Sequence, residues 1–216
     1  MNRTNIPWCD YTWNPVTGCS ATSPGCANCY ARVLSERRGQ HWGSPVFHAD
    51  RLDRPAKVKK PARVFCGSMT DLGQPAVHPE WRAAIATAML AAPQHQYIVS
   101  TKRPGPWLRE LPPACWVLVS VESQDLALRW WTLSQWAWPS AVKGASVEPM
   151  LGQVSFGPYL TRPDWIIAGP ETGAGARPCN PEWIWNLECW SVAAGVPFFD
   201  KRCGTGRRRE WPTVTP

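Results

Sequence analysis

The chain has 216 residues, 44% hydrophobic and 18% charged, which suits one globular domain with a sizeable core and excludes a disordered or fibrous protein. It opens on no secretory signal and contains no apolar run long enough for a membrane span. Its nine cysteines therefore read as thiols in a reducing, cytoplasmic setting rather than as disulfides. Net charge is +7 and the pI is near 9.1, which favours an anionic partner, nucleic acid first.

Residues 5–18 are extended and turn-rich and read as a short first strand that delivers a cysteine loop, residues 13–30. Residues 30–38 have helical spacing and stop at Gly39. Residues 39–62 form a long excursion in which His41 and His48 read as surface residues. The pattern then becomes regular. Strands are expected at 63–69, 97–101, 116–122, 142–147, 165–169 and 195–199, and helices at 80–92, 125–136 and 181–194, with a short connector at 106–111.

Short apolar runs alternating with helices mean buried parallel strands. Without a glycine-rich dinucleotide fingerprint, they point to an α/β fold with a TIM-like, partial (β/α)6-type parallel barrel. It would be one domain over 1–216, with an N-terminal cluster-binding loop at 13–30 and a tail at 204–216. Arg207, Arg208 and Arg209 read as a solvated end. Cys66, Cys115, Cys179, Cys189 and Cys203 read as buried small hydrophobes. Of the 15 tryptophans, more than half belong to the core; the others cap a barrel end, line a cavity or stack on a ligand.

Each expected strand ends in polar or charged residues: Ser68 and Asp71; Thr101, Lys102 and Arg103; Ser120 and Glu122; Ser146 and Glu148; Glu171; Asp200 and Lys201. In a parallel barrel these ends share one face, where active sites are built. The alternative is a network of ion pairs that ties the barrel mouth together.

Cys19, Cys26 and Cys29 are spaced C-x6-C-x2-C on a loop that lets three thiolates converge. Structural zinc is normally closed by four ligands. A cubane iron–sulfur cluster held by three cysteines keeps one iron open. A zinc site using Cys9 or Cys203 as fourth ligand, in a nucleic-acid-binding module, is the competing reading.

The run Trp13-Asn14-Pro15-x2-Gly18-Cys19-x6-Cys26-x2-Cys29-Tyr30 resembles the signature of a phage-associated family of small radical-SAM-like proteins with a three-cysteine motif. The resemblance continues through 64–71, 100–103, 120–122, 146–149, 168–177 and 196–204. It implies a 4Fe-4S cluster on Cys19, Cys26 and Cys29, whose open iron binds S-adenosyl-L-methionine (SAM). It further implies reductive cleavage of SAM to methionine and a 5′-deoxyadenosyl radical, with a flavodoxin-type reductase as electron donor.

The needs of a SAM site then assign roles. Ser120 and Glu122 suit the ribose, Lys102 or Arg103 the methionine carboxylate, Gly67 and Ser68 its ammonium, and Tyr30 the adenine. Glu148, Glu171, Arg177 and Lys201 fall to the substrate, and the glycine-rich loop 169–177 to a lid. Through the resemblance, the expected substrate is a modified thymidine in phage DNA, a glycyl adduct isomerised from nitrogen-linked to carbon-linked. A small molecule or peptide is the alternative substrate. No membrane partner is expected.

Overall fold

The computed structural model describes residues 1–40, 42–135, 142–157, 161–202 and 207–213. The first third contributes β1 (Asn2–Arg3), β2 (Tyr11–Trp13), β3 (Val16–Thr17), α1 (Tyr30–Arg37), β4 (Val46–Phe47) and α2 (Arg54–Lys57). Next come β5 (Arg63–Cys66), α3 (Pro79–Leu90), β6 (Gln96–Thr101), β7 (Trp116–Ser120) and α4 (Leu128–Gln135). The last are β8 (Val142–Val147), β9 (Trp165–Ala168), α5 (Pro181–Ala193) and β10 (Phe198–Asp200).

Eight strands form one sheet in the order β1-β2-β5-β6-β7-β8-β9-β10, and β3 pairs with β4 apart from it. Every pairing from β2 to β10 is parallel; only β1 runs antiparallel to its neighbour. The result is a mixed α/β fold whose sheet does not close into a barrel, because β1 and β10 remain its two edges. No helix among the described residues is long and apolar enough to cross a membrane.

Side chains alternate across a strand, so a strand buried on both faces reads as continuous apolar sequence. Val117 and Val119 on β7 join the large core that also contains Ile85, Leu133 and Ile184 from α3, α4 and α5. Trp116 and Leu118, one residue out of phase, join a second core with Phe65, Ile98, Trp165 and Phe199. The second core is aromatic: Trp165 meets Trp8 edge-on at 6.3 Å and Trp116 at 5.7 Å between ring centroids. Local signals start the helices. Pro79 and Pro181 occupy first turns, and the Asn180 side chain caps α5 by accepting from Glu182 N at 2.9 Å.

The excursion at 39–62 contains β4 and α2; His48 is tied by its ring to the Thr17 hydroxyl at 2.8 Å, and His41 lies outside the described residues. The arginine run departs in part from the sequence reading: Arg207 and Arg209 are exposed, as a solvated end requires, but the segment is not free. Asp200 N donates to Arg208 O and Glu210 N to Phe198 O, so residues 208–210 run along edge strand β10. Trp211 then reaches the other side of the sheet, where its indole N–H donates to Trp8 O at 3.0 Å beneath the Arg63 guanidinium. Cys66 and Cys115 are buried as expected, whereas Cys179 is half-buried and Cys189 lies on the exposed side of α5. Trp136, Cys203 and residues 204–206 of the expected tail are outside the described residues.

Candidate functional site

The C-terminal ends of the parallel strands open onto a cavity of about 360 Å3. Cys19, Cys26 and Cys29 all line it. So do Tyr30, Gly67, Ser68, Lys102 and Ser120 from the set assigned to SAM. Glu148, Glu171 and Lys201 from the substrate set line it too; Glu122 and Arg177 do not. Period two explains the polar wall. Ser100 and Ser120 lie two residues beyond the inward-facing Ile98 and Leu118, and the two hydroxyls are 3.5 Å apart. Phe65 and Trp8, with ring centroids 4.8 Å apart, make the wall apolar elsewhere. The buried Trp8 Nε1 has no hydrogen-bond partner among the described residues.

The cysteine loop is held by groups from several strand ends. At its start, Gly18 has φ +95, and a Cβ there would lie 2.3 Å from Ser44 O, so only glycine fits. Gln74, 1% exposed, donates to Gly18 O at 2.8 Å and accepts from Ser20 N at 3.2 Å. Arg103 donates to Ser20 O at 2.8 Å while Asp71 holds its guanidinium at 3.2 Å. In the middle, the Ser23 hydroxyl donates to Glu122 Oε1 at 2.7 Å. Gly25 packs so close to that carboxylate that a Cβ would lie 2.3 Å from Oε1.

At the far end, the Asn28 amide donates to Glu171 Oε2 and to Gly175 O, both at 2.9 Å. Arg177 bridges Glu171 at 2.5 Å and Pro24 O at 3.0 Å. The Tyr30 hydroxyl donates to Ser68 O at 2.7 Å. Carboxylates at the ends of β7 and β9 thus anchor the loop that carries the thiols.

Four ion pairs line or border the cavity: Lys102–Glu122, Arg103–Asp71, Arg177–Glu171 and Lys201–Glu148. Glu122 is fully buried and also takes Arg129 at 2.7 Å, so its acceptors are filled by the protein. Burial pushes the Glu122 carboxyl up, but the Lys102 ammonium, the Ser23 hydroxyl and Arg129 outweigh it and hold it below its usual range. Hydrogen bonds from Arg177, then Asn28, hold Glu171 at about 2 against the pull of burial. Burial raises the Cys19 thiol above its usual range.

All three motif cysteines are free thiols. Among the described residues, no group of three or more His, Cys, Asp or Glu is arranged to hold one metal ion. A single ion requires its thiolate sulfurs about 2.3 Å from one point. A cluster instead places each thiolate on a different iron. Three soft donors lining one cavity, with the acid-paired Lys102 and Arg103 also in its lining, fit the chemistry of such a group. Cys9 does not line the cavity; it sits in the aromatic core, where burial, then Asp10, pushes its thiol up to about 12.

Residues 3–214 match the model of a family described as a protein of unknown function, DUF5131. The chain belongs to the DUF5131 family. No curated protein and no solved structure matches it. In this DUF5131 chain the sequence reading passed over Asn28, Gln74 and Trp8. Asn28 had a signal, since it lies between two motif cysteines. Gln74 had none, because its role depends on a contact made 56 residues away.

Proposed function

We propose that the protein is a radical SAM enzyme whose cluster is held by Cys19, Cys26 and Cys29, within a partial (β/α)6-type barrel. The observation that carries the reading is the convergence of all three motif cysteines with the strand-end polar residues on one cavity large enough for a cofactor. Cys19, Cys26 and Cys29 would hold a 4Fe-4S cluster there, which would supply the electron for reductive cleavage of SAM.

The chain's own residues bind and orient. Lys102 and Arg103 offer cations to a carboxylate, the backbone at Gly67 and Ser68 accepts from an ammonium, and the Ser120 hydroxyl faces a ribose. Glu122 supports Lys102 rather than touching ligand. Trp8 and Phe65 give an apolar wall for a ring system. Glu148 and Lys201, about one-fifth exposed, form a paired acid and base at the substrate side. A base in DNA is the proposed substrate, on the strength of the +7 charge and the surplus of tryptophan, and the cytoplasm is the proposed location.

Metal analysis after anaerobic purification tests the reading. The expected result is about four irons and four acid-labile sulfides per chain, with deoxyadenosine released from SAM under a strong reductant. One zinc per chain, and no deoxyadenosine, refutes it.

A further inference from the structure

A second cavity, of about 140 Å3, lies beside β1 and β2 and has no part in the reaction proposed above. Met69 lines it while the adjacent Ser68 and Thr70 line the large cavity, so the two cavities flank the same three residues. Arg38, Arg51 and Arg54 line it, and no acid among the described residues does. Thr17, Asn2 and Gln40 add hydroxyl and amide groups.

Arg51 is fixed in place. Its Nη1 donates to Asn14 O at 2.9 Å, and the Trp13 indole N–H donates to Arg51 O at 2.8 Å. Its Nε is shielded from solvent and has no hydrogen-bond partner among the described residues. Arg54 is held from outside by the exposed Asp50 at 3.2 Å. Burial, and then the neighbouring Arg54, lowers the Arg51 pKa, and Asp50 offsets part of that shift.

Three guanidinium groups around a small polar cavity match the charge of a tetrahedral oxyanion. Size narrows the choice. Whole small-molecule ligands occupy pockets of about 300–1,000 Å3, so this cavity suits one anionic group and not a nucleotide.

We propose that this cavity is a phosphate subsite that grips one backbone phosphate of a nucleic-acid strand whose reacting base enters the large cavity. The assignment of the strand rests on the DNA reading above; the oxyanion chemistry rests on the cavity alone.

Fluorescence anisotropy of a labelled single-stranded oligothymidylate, titrated at several salt concentrations without SAM or reductant, tests it. The full chain is used, with its metal content measured. Losing one phosphate contact lowers the salt slope by about 0.7 for a single strand. Arg38→Gln and Arg51→Gln are expected to show that drop and a roughly three- to tenfold weaker Kd near 0.1 M salt, while the exposed Lys60→Gln does not. Arg38 is exposed, so its variant still reports if Arg51→Gln fails to fold.

Equal slopes for the Arg38 and Lys60 variants overturn the proposal. Calorimetry with inorganic phosphate separates the sources. Phosphate heat that disappears in Arg38→Gln, with an unchanged oligonucleotide slope, marks a free-anion site and overturns the strand assignment. None of these readouts needs the cluster, so a chain found to hold zinc still answers whether the subsite binds phosphate.

Discussion

Replacing Glu122 by glutamine removes a charge that two cations depend on. The Glu122 side chain is fully buried, while Lys102 and Arg129 beside it are 19% and 12% exposed. Breaking a buried ion pair from one side costs about 3–5 kcal/mol, because the stranded charge cannot recover its water. Glutamine keeps the shape and one acceptor for Ser23 or a cation, which returns about 1 kcal/mol.

The expected loss is therefore about 3 kcal/mol. For a chain of this length it lowers Tm by roughly 6–12 °C, and at an m near 3 kcal/mol/M it moves the urea midpoint by about 1 M. Equilibrium urea unfolding of the cluster-free chain, followed by tryptophan fluorescence, reads it directly. Restoring balance with Lys102→Met and Arg129→Met alongside Glu122→Leu should recover most of the loss. A Glu122→Gln midpoint within about 0.2 M of the parent, at unchanged m, means that the carboxylate is not the keystone of this cluster and refutes the reasoning.

Three further outcomes follow from the same contacts. Gly25→Ala places a Cβ 2.3 Å from Glu122 Oε1, which should cost about 1–3 kcal/mol and cut iron uptake on anaerobic reconstitution; full iron content with an unchanged urea midpoint contradicts it. Glu171 titrates at about 2 against an ordinary 4.5, a difference worth about 3 kcal/mol, discounted to about 1–2 because its Arg177 partner is 35% exposed. Its folded pKa is depressed, so that stability is complete above about pH 4.5 and lost as pH falls toward 2; Glu171→Gln should flatten the acid limb of urea stability over that range, and an unaltered limb rejects the pairing. Trp211→Ala removes the link from the C-terminal segment to Trp8 and should lower stability by about 2 kcal/mol; a change below about 0.5 kcal/mol in urea unfolding counts against a sealing role.

The two core faces were legible in the sequence because strand periodicity is local. Once 116–122 is a strand, Trp116, Leu118 and Ser120 must share a face, and the serine falls where the cavity opens. The cysteine loop was legible for a similar reason, since three thiols within eleven residues rich in Gly, Pro and Ser read as one turning segment. What the strand-end charges do was not legible. Sequence puts Glu122 and Glu171 near the C-terminal ends of their strands, and it suggests ligand contact for both. Whether a carboxylate meets a ligand or an internal cation depends on which loops arrive beside it. Ser23 meets Glu122 across 99 residues, Arg177 meets Pro24 across 153, and Trp211 meets Trp8 across 203.

The sequence by itself determined the strand order of polarity, the apolar interior and the placing of three thiols on one loop, since each follows from near-neighbour spacing. Only the tertiary structure decided that the sheet stays open, that an arginine-bearing tail runs along its edge, and that acids at the mouth secure the loop. The physical reason is that charge compensation and edge closure are set by approach in space, and distant residues carry no mark of their partners.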